Sequence, residues 1–393
     1  MLSDPTIRKF IWAHRLEDPQ RVALSARKYP GIPVAYVAGQ IDFLQKIQKK
    51  VPSWYREGLQ FPAAISMEQA SSEATAQFKA TLVEGRKMAD LTGGLGVDSS
   101  FFSRKFESIT YVEPNAELLD ITRHNFEALG IGNAQFVCAT AEDFLQHTTE
   151  TFDVLYLDPS RRHTHKGKVF QLQDCSPHIL EIKQLALEKA PKILLKTAPL
   201  LDISLAARQL GSVSKIWVVA SGDECREVLY LIENAPVPFE QIDVHAVLLE
   251  KDGSVHDLQF TYGEEQQTQA GFALPQQYLY EPDAAVLKAG AFRVFAQRFG
   301  LHKLHQHTHL YTSEQLVTAV PGRSFVIESV CKYDKKAVQA LIPAGKANVS
   351  TRNFPDNAEA VRKKLGLHDG GDVYVFAFTD VEARKMIAVC RKV

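Results

Sequence analysis

This sequence predicts an α/β fold: a mostly parallel sheet wound by helices, followed by smaller α+β domains. Three observations carry the prediction. A glycine turn, Asp90-Leu91-Thr92-Gly93-Gly94-Leu95-Gly96-Val97-Asp98, separates the lead-in Lys87-Met88-Ala89 from the amphipathic run 99–106. Apolar runs then recur near 109–113, 134–138, 153–158 and 192–197, with helical spacing between most of them. Strand runs alternating with helical stretches imply crossover units and a parallel sheet. Last, the runs 214–220 and 227–232 have only the turn Ser221-Gly222-Asp223-Glu224 between them. They predict an antiparallel hairpin closing the sheet.

Each element follows from local signals. Residues 3–60 read as helical, with Ser3 as cap, Pro5 in the first turn, and Ile7, Phe10, Ile11 and His14 at helical spacing. Pro30-Gly31-Ile32-Pro33 breaks this region from a second helix, 35–50, with Val37, Ile41, Leu44 and Ile47 on one face. Residues 55–62 read as a linker and 68–82 as the helix leading into the core. Core helices are expected at 98–106, 115–129, 176–190 and 202–209. Beyond Pro236-Val237-Pro238, the runs 244–250 and 255–262 predict a β-hairpin around Asp252-Gly253. Residues 282–299 read as helical. A strand at 325–330, helices at 334–342 and 357–365, and paired strands at 372–379 and 385–390 give a small α+β domain at the end.

Composition excludes several classes. The 393 residues carry a net charge of −1 and are 45% hydrophobic, as in an ordinary multidomain globular chain. No run approaches the roughly twenty apolar residues that a membrane helix needs. Met1 to Arg15 is too charged for a signal peptide, which leads us to expect a cytoplasmic protein. Cys138, Cys175, Cys225, Cys331 and Cys390 are widely spaced, with no C-x-x-C pair. That spacing argues for a reducing compartment and against a disulfide framework or a zinc ribbon. Charge is uneven: 13 basic residues face 8 acidic ones from Pro321 onward, and basic residues also dominate before Gln60. Basic flanks suit a phosphate backbone, and equally suit solvated helix faces.

The glycine turn carries the chemistry. Gly94 and Gly96 let the backbone approach a ligand, and the amides opening the next helix point at it. The run ending in Glu113 stands about twenty residues on, where a carboxylate accepts from a ribose diol. The ligand is therefore expected to carry a nucleoside. A dinucleotide fingerprint would need a third glycine where Ser99 stands. Asp90, opening the turn, suits an ammonium group, which favours S-adenosylmethionine over NAD. Residues 152–157 then run into Asp158-Pro159-Ser160-Arg161-Arg162 at the carboxyl end of the fourth strand, beside the turn.

With these motifs in order, the chain resembles a class I S-adenosylmethionine-dependent methyltransferase. More narrowly, it resembles the bacterial family whose methyltransferase core is followed by a THUMP-like domain. Further supporting runs are Glu68-Gln69-Ala70-Ser71-Ser72-Glu73, Cys175-Ser176-Pro177, Tyr278 to Ala285, and Pro321-Gly322-Arg323-Ser324-Phe325. The resemblance implies a Rossmann-like class I methyltransferase sheet over 65–235. It also implies a helical region over 1–64, an α+β (ferredoxin-like) linker domain over 236–320 and a THUMP-like domain over 321–393. S-adenosyl-L-methionine would be held by Asp90, Thr92, Gly94, Gly96, Glu113 and Pro114. Ala141 and Glu142 would face the adenine, although a helix-capping role competes for Glu142 and Asp143.

Asp158, Pro159 and Ser160 are the catalytic candidates. In amino-group methyltransferases the pattern is Asp/Asn-Pro-Pro-aromatic, and here Ser160 and Arg161 replace the last two. A guanidinium plane also stacks on a base or binds a phosphate. Arg161, Arg162 and Lys196 are therefore read as substrate contacts, with loop ordering as the alternative for the two arginines. Cys175, in a Ser-Pro helix-start context, is a poor nucleophile candidate. His305, His307 and His309 could share a strand face and permit a metal site, but no acid or cysteine joins them, and no metal is expected. The implied substrate is RNA, tRNA above all. A protein or metabolite methyltransferase and a non-catalytic RNA-binding protein are the rivals.

Overall fold

A computed structural model of the chain describes residues 4–62, 67, 70–161, 171–235 and 237–393. It divides into two compact units, residues 1–213 with 229–236 and residues 214–228 with 237–393. Among the described residues, no helix is long and apolar enough to cross a membrane.

The first unit opens with helices Pro5–Ala13, Pro19–Ala23 and Val34–Lys50. Asp4 caps the first, accepting from the Thr6 amide, whereas the expected cap Ser3 lies outside the described residues. The middle helix, capped by Asp18, divides what the sequence predicts as one helical stretch. Ile7, Val22, Val37, Ala38 and Ile41 bury together. The helix expected over 68–82 is shorter, Glu73–Thr81, because Ser72 turns its hydroxyl to the Thr75 amide and caps it.

The sheet of this unit has β1 (Lys87–Asp90), β2 (Ser108–Val112), β3 (Ala134–Val137) and β4 (Val154–Leu157). A two-residue antiparallel pair follows, β5 (Ser160–Arg161) with β6 (Cys175–Ser176), and then β7 (Lys192–Thr197). The order is β3-β2-β1-β4-β7, all parallel, and the end of β9 (Glu224–Glu233) lies beside β7. All four residues of β4 are buried, as in a strand covered on both faces. Strand order reverses between β1 and β4, which opens a crevice at their carboxyl ends. This is a Rossmann-like architecture.

In the second unit β8 (Val213–Ser221) and the start of β9 are neighbours, and β10 (Asp243–Leu249) runs parallel to β8. β11 (Val255–Thr261) pairs antiparallel with β10. Within this unit the hairpin expected at 244–262 thus lengthens the strand pairing that β8 begins. Alternation alone cannot distinguish a hairpin that starts a sheet from one that lengthens a neighbour.

A second sheet contains β12 (Tyr278–Pro282), β13 (His302–His305), β14 (Thr308–Ser313), β15 (Gly322–Lys332), β16 (Asn348–Arg352), β17 (Val373–Thr379) and β18 (Lys385–Lys392). Its order is β13-β14-β12-β15-β18-β17-β16, so it runs across the expected boundary at 320/321. The helix expected over 282–299 is two short ones, Ala284–Ala289 and Phe292–Arg298, parted at Gly290 with φ 78°. β16 was not foreseen. Its residues Asn-Val-Ser-Thr-Arg are half-buried on a sheet edge and lack an apolar run. One face of this sheet packs Val375 and Ile387 on Val338, Val361 and Leu365. Another cluster packs Leu279, Leu310 and Phe325 with Phe376 and Phe378.

Candidate active site

The crevice between β1 and β4 assembles most of the residues singled out in the sequence. Asp90 ends β1 and is 1% exposed. Its Oδ1 accepts from the Thr92 amide at 3.0 Å and its Oδ2 from the Ser99 hydroxyl at 2.5 Å. Burial pushes its carboxyl up to about 7, and the charges of Asp98 and Asp158 act the same way. Ser99, which displaces the third glycine of a dinucleotide fingerprint, is therefore a partner of Asp90. The spacing Asp-x8-Ser was the available signal.

The glycines of the turn do different jobs. Gly94 has φ 57°, and a Cβ there would meet only the Thr92 carbonyl oxygen at 3.7 Å. Gly94 therefore faces open space, where a ligand can approach. Gly96 instead needs its missing side chain for packing, since a Cβ would sit 2.6 Å from Thr122 Cγ2 and 2.9 Å from Phe126 Cε1. This packing requirement is separate from the expected approach of a ligand to its backbone. Gly93 is filled likewise by the Tyr111 ring, 2.3 Å from a hypothetical Cβ. The Tyr111 hydroxyl donates to the Gly94 carbonyl at 2.5 Å and braces the turn.

Glu113 lies at the mouth of β2 and is held on both sides. Its Oε2 accepts from the Gly94 amide at 3.0 Å and its Oε1 from the Asn115 amide at 2.9 Å. Each oxygen keeps a second lone pair for a hydroxyl. Pro114 follows, and its carbonyl oxygen lies 3.7 Å from the Cys138 sulfur. After β3, Thr140 caps the helix Ala141–His147, accepting from the Asp143 amide at 3.1 Å. The Thr140–Asp143 pair makes the cap, so Glu142 is not needed for it. Among the described residues its carboxylate has no partner, and Ala141 is buried in the first turn.

At the end of β4, the Asp158 amide donates to Thr92 Oγ1 at 2.6 Å, joining the carboxyl ends of β1 and β4. Asp158 Oδ2 pairs with Lys196 Nζ of β7 at 2.7 Å. Pro159 is buried and Ser160 exposed. Ser160 and Arg161 lie opposite Ser176 and Cys175 in the short β5–β6 pair. Arg162 falls outside the described residues. Cys175 is buried, with its thiol toward the Gln171 carbonyl, away from a nucleophile's exposed setting.

The sequence reading missed a buried polar cluster behind the turn. Lys79, 0% exposed, pairs with Asp98 at 2.9 Å and donates to Ser71 Oγ at 2.6 Å. The Tyr156 and Ser71 hydroxyls also donate to Asp98 Oδ2, at 2.8 and 2.9 Å. No pattern marks a lysine in Glu73–Thr81 as the buried one. The histidines expected on one strand face are divided, since His305 ends β13 and His309 lies in β14 beyond the turn. No group of His, Cys, Asp and Glu that could hold a metal occurs among the described residues.

Comparison with known proteins points to the same fold. Residues 72–189 match the family model described as conserved hypothetical protein 95, 278–321 a ferredoxin-like domain and 322–392 a THUMP domain-like model. The chain is similar to the solved structure of a candidate methyltransferase from Porphyromonas gingivalis W83. That likeness has 32% identity and a TM-score of 0.88 and covers 100% of each chain. An uncharacterized S-adenosylmethionine-dependent methyltransferase of Mycobacterium tuberculosis (strain ATCC 25618 / H37Rv) is 23% identical over 305 residues, 77% of this chain and 80% of that protein. An uncharacterized RNA methyltransferase of Thermosynechococcus vestitus is 31% identical over 97 residues, 24% of this chain and 22% of that protein.

Proposed function

Since the chain belongs to the family of S-adenosylmethionine-dependent methyltransferases that carry ferredoxin-like and THUMP-like C-terminal domains, we propose that it methylates a base nitrogen of structured RNA, tRNA above all. The observation that carries this reading is Asp158. Its carboxylate stands at the carboxyl end of β4, tied to the glycine turn through Thr92 and to β7 through Lys196. The THUMP domain-like match and the RNA methyltransferase relative support RNA as the class of substrate.

The donor and acceptor set fits an adenosyl ligand with an ammonium group. Gly94 leaves open space beside the turn, Glu113 has free lone pairs for a ribose diol, and Glu142 has an unpartnered carboxylate for an adenine amino group. Thr92 and Pro114 would shape the same pocket, and Asp90 would supply negative charge from below the turn. The bound cofactor supplies a methyl group activated on a sulfonium. The chain's own task is placement, which accounts for much of the rate in an in-line transfer. Asp158 would accept a hydrogen bond from the target amino group, and the buried Pro159 would stiffen the loop so that backbone carbonyls hold that nitrogen in line. Lys196 would keep the carboxylate in one rotamer. Ser160 leaves room where the amino-methylating pattern has a second proline. Arg161 and Arg162 would meet the base or its phosphate in place of the aromatic residue.

The test uses radiolabelled S-adenosylmethionine with total RNA from a strain lacking the gene, with wild type and Asp158→Ala in parallel and with and without ribonuclease. The expected result is label in a small-RNA band from wild type alone, with Asp158→Ala slower by about 10²-fold or more and its S-adenosylhomocysteine affinity unchanged. Ribonuclease-resistant label would move the substrate to protein or metabolite. Binding without turnover would point to an RNA-binding protein.

A further inference from the structure

Away from the Asp158 crevice, the first unit holds a further cavity of about 380 Å³. Four pieces of chain enclose it: the single-turn helix Pro52–Trp54, the end of helix Val97–Phe102, the loop behind helix Ala116–Leu129 and the lead into β3. Ser103 and Arg104 precede β2, and Asn133 precedes β3. These strands are parallel, so the cavity lies at their amino ends, whereas the cofactor turn and Asp158 stand at the carboxyl ends of the sheet.

The lining is cationic and contains no carboxylate. Arg56 donates from Nη1 to the Ala128 carbonyl at 3.2 Å, and the Arg104 guanidinium lies 4.2 Å from the centre of the Phe101 ring. Both arginines are exposed, and neither forms an ion pair among the described residues. A guanidinium has five N–H donors, so each keeps several for a ligand. Two helices end beside the cavity, and their carbonyl ends alone would favour a cation. Those carbonyls are already occupied. Arg56 takes that of Ala128, the Gly130 and Ile131 amides take those of Glu127 and Phe126, and Asn133 Nδ2 takes those of Ser103 and Phe106. Glu73, on the neighbouring helix, turns Oε2 to the Ser53 amide at 2.8 Å and does not line the cavity.

Neutral donors complete the lining. The Ser53 hydroxyl is buried and has no hydrogen-bond partner among the described residues, which is costly unless a ligand supplies one. At Gly130 and Gly132 an added Cβ would meet nothing within 4 Å, so a ligand can come close to that backbone. The Gly132 amide makes no hydrogen bond among the described residues. Guanidinium groups with a hydroxyl and an amide form a donor set that suits phosphate, whose oxygens accept several bonds at once. Leu129 and Ile131 add an apolar wall, and the volume falls in the range of small-molecule sites, about 300–1,000 Å³.

We propose that this cavity binds a small phosphate monoester. Its dianion sits between Arg56 and Arg104, Ser53 and the Gly132 amide complete the donor set, and the organic part lies against Leu129 and Ile131. The site is separate from the cofactor crevice and does not depend on what the enzyme methylates.

Calorimetry on the full chain measures ribose 5-phosphate and glycerol 3-phosphate, with ribose as the neutral control and S-adenosylhomocysteine as the check on the cofactor crevice. The variants are Arg56→Met, Arg104→Met and Gly132→Asp, with Lys336→Met, exposed in the second unit, as the control for lost charge. Gly132 has room for a side chain and no left-handed φ, so Gly132→Asp brings an acid to the cavity without strain. Wild type should bind both monoesters and not ribose, and each cavity variant should bind them at least about tenfold more weakly. S-adenosylhomocysteine affinity should stay at the wild-type value throughout, and Lys336→Met should match wild type for every ligand. A wild type that binds neither monoester, or cavity variants that bind them as wild type does, would overturn the site. So would ribose bound as tightly as ribose 5-phosphate, or an equal loss in Lys336→Met. Monoester binding abolished by saturating S-adenosylhomocysteine would move it to the cofactor crevice and overturn the site as well.

Discussion

A carboxylate buried without a cation against it titrates late, and Asp90 is such a group. Burial first, then Asp98 and Asp158, raise it to about 7, against the bonds from Ser99 and Thr92 that lower it. The folded state therefore holds a proton that the unfolded chain releases near pH 4, so the group's contribution to stability is full below pH 4 and is lost as pH rises through about 7. Asp90→Asn removes that titration. Urea denaturation from pH 4 to 8 should show wild type losing stability relative to Asp90→Asn across this window, and parallel curves would refute the assignment. S-adenosylhomocysteine affinity of wild type should rise over the same window as the carboxylate ionises to meet the ammonium. At this scale the sequence was informative where spacing carries chemistry. Asp90, Thr92, Gly94, Glu113 and Asp158 lie around one crevice because each stands at a strand end or in the turn that follows it. It was silent on partners set by three-dimensional packing. Tyr111 read only as part of an apolar run, yet its ring walls Gly93 and its hydroxyl holds Gly94.

The turn and the helices that bracket it separate approach from packing. Gly96→Ala would place a methyl against Thr122 and Phe126 at φ 76°, and should cost about 1–3 kcal/mol from overpacking in addition to left-handed strain. Gly94→Ala has open space and bears only the strain, about 1–2 kcal/mol, but it should weaken cofactor binding more. Denaturation midpoints and calorimetry on the two variants read this crossover, and equal losses in both measurements would remove the distinction. Helix Glu73–Thr81 is fastened to the same turn by Lys79. Burial alone would raise the Asp98 carboxyl, and the charge and hydrogen bond of Lys79, with the charge of Lys196 and the Tyr156 hydroxyl, more than offset it, leaving it below its ordinary value. Lys79→Met strands that carboxylate and should cost about 3–5 kcal/mol, with Lys79→Met/Asp98→Asn recovering part. A double-mutant cycle without coupling would show the pair to be incidental. The helix itself was foreseen, but its start was not, because Ser71 and Ser72 both offer capping hydroxyls and only the fold selects Ser72.

Across the whole chain, the regular alternation of the core was legible because buried parallel strands are long apolar runs between helical periods. The region after Val237 was less so. The hairpin of β10 and β11 reads the same whether it founds a sheet or joins one, and β16 is polar enough to pass for a loop. The family matches divide 278–321 from 322–392, yet the backbone does not part there. β12 pairs with β15 from Tyr278↔Val326 to Pro282↔Gly322, and Glu281 faces Arg323 across that ladder. The two segments therefore form one structural unit. Recombination that moved either alone would carry away half of a hydrogen-bonded ladder and leave Glu281 buried without its arginines, or those arginines without Glu281. The seam between the two family matches is no seam in the fold, since each segment supplies half of the ladder and of the ion pairs that hold the other.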